Sequence, residues 1–159
     1  QDHDNIKLVI AGQGDLRPSL ESYVERYEVP DVSFLGFVSD AEKIRLLQTA
    51  DLYCSPAMYG ESFGIVLLEA MAAGCVTVAG NNPGYASVMT GRGRLSLVSP
   101  DATIDFAQRL ELLLYDQEVR DLWLAWAKEY VQQFDYPKVV DQYEVAYKRA
   151  IKKHKQAQK

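Results

Sequence analysis

Glu61 and Glu69 stand with seven residues between them, in the run Ala50 to Gly74, ADLYCSPAMYGESFGIVLLEAMAAG. A short apolar strand, Leu52 to Ser55, ends at Pro56. A loop with Gly60, Glu61, Ser62 and Phe63 follows, then an apolar helix from Gly64 to Ala73, closed by Gly74. A strand, a glycine-bearing loop and a helix N-terminus form an anion-binding corner, because free N–H groups and the helix dipole point at the ligand. A carboxylate inside a helix this apolar, Glu69, is costly without a partner. Sugar hydroxyls are one such partner. Glu61 also has a plainer reading, a carboxylate favoured by the helix dipole. For Glu69 the plainer reading is a side chain satisfied by a neighbour.

These residues resemble a known family. Glu61, Ser-Phe-Gly-Ile-Val-Leu-Leu, then Glu69 is similar to the paired-glutamate motif of the retaining GT-B glycosyltransferases. The fuller string resembles the phosphatidylinositol mannosyltransferases of mycobacterial type, which use GDP-mannose. Phe34 to Asp40, FLGFVSD, belongs to the same resemblance, which runs from about Lys7 to about Ala150.

The resemblance implies roles. Glu61 is the catalytic-site carboxylate, accepting hydrogen bonds from donor-sugar hydroxyls. The backbone N–H groups of Phe63, Gly64 and Ile65, beside Ser62, bind sugar and phosphate oxygens. Gly64 lets a ligand approach the backbone closely. Glu69 takes the ribose hydroxyls. Val38, Asp40 and Lys43 meet the base, which favours GDP over UDP or ADP; a helix cap explains Asp40 equally well. Gly12 and Gly14 bring backbone close to the nucleotide, though a turn after a strand also accounts for them. The donor, GDP-mannose or a UDP-sugar, is a substrate, and no cofactor is implied. Asn81, Asn82, Pro83 and Gly84 read as a turn, and Arg92 and Arg94 as solvated loop residues.

The elements that position these residues follow from the pattern. Strands are expected at Lys7–Ala11 (buried), Val32–Leu35, Leu52–Ser55, Val76–Ala79 and Leu95–Val98. Helices are expected at Asp15–Tyr27 with Asp15 as cap, Ala41–Thr49 capped by Ser39 or Asp40, Phe63–Ala73, Tyr85–Met89, Ile104–Tyr115, Glu118–Gln133 and Pro137–Lys152. Alternating strands and helices predict an α/β fold, a Rossmann-like parallel sheet flanked by helices. Ligands then bind at the carboxyl ends of the strands, in one shared cleft. Trp123, Trp126, Tyr130, Tyr143 and Tyr147 are spaced as packing faces, with some rings exposed if a partner surface is absent.

The expected organisation is a nucleotide-sugar-binding domain over residues 1–150 and a basic tail over 151–159. In the resembling family this C-terminal domain opens with a further strand and helix, whose loop supplies Arg and Lys to the diphosphate. No such segment precedes Lys7, so the domain is expected to be truncated at its N-terminal edge. An N-terminal domain that binds a lipid or carbohydrate acceptor is expected to be missing as well. The resemblance then implies a hexosyltransferase parent, with the chain alone expected to be inactive. Two other readings stand beside it: a nucleotide-sugar epimerase of the same architecture, and a nucleotide-sugar-binding domain without turnover.

Composition bounds the rest. The chain has 159 residues, is 48% hydrophobic and 25% charged, and carries a net charge of −5. That suits one globular core and argues against a general nucleic-acid footprint. Basic charge gathers in Lys148 to Lys159, a solvated helix end or a contact with anionic lipid. Cys54 and Cys75 read as buried, inert thiols, with no disulfide framework or metal site. His3 and His154 sit near the two ends, away from the candidate site. No apolar run reaches membrane-spanning length. A cytoplasmic setting fits, with peripheral membrane association of the parent as an option.

Overall fold

A computed structural model of the protein describes residues 5–157, with the side chain of Ala157 outside the description. His3 therefore lies outside the described residues. Among the described residues, five strands alternate with helices and three helices close the order: β1 (Leu8–Ala11), α1 (Arg17–Arg26), β2 (Val32–Gly36), α2 (Asp40–Thr49), β3 (Leu52–Ser55), α3 (Ile65–Ala72), β4 (Val76–Gly80), α4 (Pro83–Val88), β5 (Leu97–Val98), α5 (Thr103–Tyr115), α6 (Gln117–Tyr130) and α7 (Tyr136–Ala157). Tight 3-10 turns occupy Gly91–Ser96 and Val131–Phe134. Every strand pairing is parallel, and the strands form two ladders, β1-β2 and β3-β4-β5. The chain divides into two compact units between Arg45 and Leu46.

The first unit holds β1, α1, β2 and the start of α2. Leu8 pairs with Val32 and Ile10 with Phe34; the register then slips, so that Ala11 meets Gly36. Gly36 takes φ 71°, a left-handed conformation that glycine adopts without steric cost. Apolar β-branched residues do form β1, but its expected burial is not observed: Leu8 and Val9 are exposed. Helix α1 buries no residue either. A two-stranded ladder has too little surface of its own to build a core. Asp15 is not the cap of α1. Leu16 occupies that position with no side-chain hydrogen bond, and the Arg17 amide bonds to the Gly14 carbonyl at 3.1 Å. At α2 the Ser39 hydroxyl accepts from the Glu42 amide at 3.3 Å, so of the two expected caps Ser39 serves the helix, and Asp40 is its first residue.

The second unit contains the core. All five residues of β4 are buried, as expected for a central parallel strand covered on both faces. Leu67 and Met71 of α3, Val88 of α4, Leu113 of α5 and Trp123 and Ala127 of α6 pack with Val76, Val78 and Ala79 of β4. Trp123 donates its indole N–H to the buried Ser96 hydroxyl at 2.7 Å. Of the aromatic helix residues, Trp123, Trp126 and Tyr130 pack together, while Tyr143 and Tyr147 on α7 are exposed. Helix α7 continues past Lys152 to Ala157. Among the described residues no helix is long and apolar enough to cross a membrane.

Candidate functional site

The loop between β3 and α3 carries the candidate chemistry of the second unit. Gly64 ends it in a left-handed conformation, φ 96°. A Cβ there would lie 2.6 Å from the Tyr85 ring. Backbone and neighbour thus both demand glycine, and the chain turns sharply into Ile65. No side chain caps α3, and its first turn holds no acid. Ile65 itself is exposed. The opening turn of the helix therefore carries the positive end of the dipole with no side chain capping it.

Glu61, Ser62 and Phe63 are exposed in the loop, Gly64 is buried, and Glu69 is half-buried one turn beyond Ile65. Phe63, Ile65 and Glu69 border one open groove together with Phe134, Tyr136 and Tyr143. Phe63 meets Phe134 edge-on at 5.8 Å. Phe134 in turn meets Tyr130 at 5.4 Å, and Tyr130 stacks on Trp126 at 4.7 Å. A ladder of rings thus connects the loop to the core.

The turn after β4 holds this loop from beneath. Asn82 is buried. Its carbonyl oxygen accepts from the Tyr85 amide at 2.9 Å, capping α4, and its amide donates to the Ala57 carbonyl at 2.9 Å. Gly80 lies against the Ala57 carbonyl and Gly84 against the Glu61 carbonyl, each too close for any Cβ. The Tyr85 hydroxyl lies 2.6 Å from that of Ser55. Burial pushes the Tyr85 phenol up from its ordinary range; Ser55 pulls it down, and the Glu61 charge pushes it up again. Tyr53 is likewise raised, chiefly by burial, with Ser55 opposing and Glu69 among the charges that add to it. The Glu61 charge thus acts on Tyr85 and the Glu69 charge on Tyr53.

Asn82, Gly84 and Tyr85 were not candidates on sequence, because turn chemistry alone accounts for Asn-Asn-Pro-Gly. Pairing them with the loop requires the parallel register that sets Ser55 beside Ala79.

In the first unit, Gly12 and Gly14 follow β1 at exposed positions. The Gly12 amide bonds to the Gly36 carbonyl at 2.7 Å. Asp40 is fully in solvent, 94% exposed, and pairs with Lys43 at 3.3 Å; Val38 is half-buried before them. Arg17, also missed on sequence, places its guanidinium 5.9 Å from the Phe34 ring and 3.1 Å from where a Gly36 Cβ would lie. It pairs with Glu21 at 2.7 Å. Gly12, Gly14, Val38, Asp40 and Lys43 belong to this unit, while Glu61, Ser62, Phe63, Gly64, Ile65 and Glu69 belong to the other. Among the described residues no group of three or more His, Cys, Asp or Glu side chains could hold a metal ion.

Comparison with known proteins completes the picture. Residues 1–129 match the family described as glycosyl transferases group 1. A phosphatidyl-myo-inositol mannosyltransferase of Mycobacterium leprae is 37% identical over 142 residues, covering 87% of this chain and 37% of that enzyme. The chain thus spans well under half the length of that relative. Among solved structures, WaaG, a glycosyltransferase involved in lipopolysaccharide biosynthesis, is 28% identical with a TM-score of 0.69, over 82% of this chain and 35% of that one. The HepE protein of Anabaena, solved with UDP-glucose, superposes with a TM-score of 0.77 at 22% identity, over 93% of this chain and 42% of its own. That last likeness concerns the fold.

Proposed function

The chain belongs to the group 1 glycosyl transferases, and on that premise we propose that it is the donor-binding part of a retaining enzyme moving mannose from GDP-mannose to a lipid or carbohydrate acceptor. The observation that carries this reading is the uncapped N-terminus of α3 at left-handed Gly64, with Glu61 before it and Glu69 one turn inside. Diphosphate charge suits those amides, and helix N-termini are ready-made anion sites. A leaving nucleoside diphosphate gains negative charge in the transition state, so fixed dipoles aimed at it lower the barrier.

In this reading Glu61 accepts from donor-sugar hydroxyls. Ser62, Phe63, Gly64 and Ile65 supply the surrounding loop and amides. Glu69, half-buried beside the groove, takes the vicinal ribose hydroxyls. The mannose assignment is supported by the relative from Mycobacterium leprae, named as a phosphatidyl-myo-inositol mannosyltransferase. The same name supports a lipid acceptor, which would suit a complete enzyme working at a membrane surface.

Calorimetric titration with GDP-mannose and with UDP-glucose tests the donor. GDP-mannose is expected to bind more tightly. Equal or tighter binding of UDP-glucose removes the mannose assignment and leaves the family standing.

A further inference from the structure

Glu61 stands on an exposed loop, where its carboxylate needs a partner to fix its direction. Two consecutive residues of α4 reach the two ends of the segment Glu61–Gly64. Gly84 abuts the Glu61 carbonyl, and the Tyr85 ring abuts Gly64, where a Cβ would stand 2.6 Å from it. Tyr85 is itself immobilised: it is 1% exposed, and its hydroxyl is 2.6 Å from that of Ser55. Asn82 fixes the same turn to Ala57, farther back in the loop.

We propose that Tyr85 is a positioning residue for Glu61: its hydroxyl, braced by Ser55, donates to the Glu61 carboxylate and aims it at the donor sugar and away from the nucleotide. The ligand in this inference rests on the donor reading above; the Tyr85–Glu61 relationship does not. A phenol has one proton to donate. Given to Glu61, it leaves the phenol oxygen to accept from Ser55, so the order of donors runs from Ser55 through Tyr85 to Glu61. The charge of Glu61 acts on Tyr85, whereas that of Glu69 acts on Tyr53. Each tyrosine therefore reports on a different glutamate. The hydroxyl is also separable from the packing, because phenylalanine keeps the ring against Gly64 and removes only the donor.

Two measurements on the whole chain decide it. NMR titration of the tyrosine ring carbons follows Tyr85 in the wild type and in Glu61→Gln, Ser55→Ala and Glu69→Gln. Glu61→Gln is expected to lower the Tyr85 midpoint, Ser55→Ala to raise it, and Glu69→Gln to leave it while lowering that of Tyr53. A Tyr85 midpoint unmoved by Glu61→Gln overturns the proposal, whatever the donor proves to be. Calorimetry then compares Tyr85→Phe with the wild type on GDP-mannose and on GDP. A loss of roughly fivefold on GDP-mannose, the scale of one hydrogen bond, is expected, with GDP held within about twofold. Equal losses on the two ligands overturn the positioning role. Absence of GDP-mannose binding by the wild type sinks the donor reading, and the ring-carbon titration still decides the Tyr85–Glu61 relationship.

Discussion

Gly84 lies directly beneath the backbone carbonyl of Glu61, with no space between them for a methyl group. The position of a candidate binding residue is thereby set by a glycine 23 positions later in the chain. The contact is backbone to backbone, so no side-chain rotation can relieve an added carbon. Gly84→Ala is expected to destabilise the fold by about 1–3 kcal/mol, the range for overpacking. Gly14→Ala, where a Cβ meets nothing within 4 Å, should stay within about 0.5 kcal/mol of wild type. Urea unfolding of the two variants checks the contrast, and equal stabilities contradict it.

Asn82 performs two tasks with one amide. It caps α4 and donates to the Ala57 carbonyl. Asn82→Ala removes both and is expected to cost about 2 kcal/mol. Asn82→Asp keeps the capping oxygen but loses the donor to Ala57. It should also be destabilised, and its loop amides from Ala57 to Gly64 should move in NMR spectra. Full stability in Asn82→Asp shows that the Ala57 bond contributes nothing.

Burial pushes the thiols of Cys54 and Cys75 up to about 11 from an ordinary 9.0. The folded state then holds those protons where the unfolded chain has released them. Their contribution to stability is complete below about pH 9 and declines as pH rises toward about 11. Both thiols should react slowly with iodoacetamide at pH 8 in the native chain and rapidly in urea. Fast native labelling contradicts the burial. Replacing both cysteines by alanine should reduce the slope of stability against pH in that window.

The paired glutamates make separable predictions. Glu69→Gln should weaken GDP and GDP-mannose alike, by roughly 1–3 kcal/mol, the scale for hydrogen bonds to a charged group. Glu61→Gln should weaken GDP-mannose far more than GDP. Equal losses on the two ligands at Glu61 contradict its role as a sugar contact.

Much of this architecture could be read before any coordinates. The runs around β3 and β4 are apolar, short and bounded by Pro56 and Gly80, so strand periodicity placed them within a residue. The loop from Glu61 to Gly64 was recognisable from its family string. Legibility failed where the cause is tertiary. Asp15 has the chemistry of a cap, yet Leu16 occupies the cap position because the backbone turn at Gly14 already serves the Arg17 amide. Leu8 and Val9 read as buried because apolar runs do not reveal how many layers cover them. Tyr85 is invisible because nothing local distinguishes a core tyrosine from one whose ring packs on Gly64, 21 residues upstream.

The central claim is that the N-terminus of α3, between Glu61 and Glu69, receives a nucleotide sugar. Amide chemical-shift mapping of the chain with GDP-mannose tests it most directly, because weak binding still moves resonances. The account predicts the largest perturbations at Phe63, Gly64 and Ile65, with smaller ones at Glu69, and their loss in Glu69→Gln. Perturbations confined to other surfaces, with residues 61–69 unmoved at saturating GDP-mannose, would contradict it.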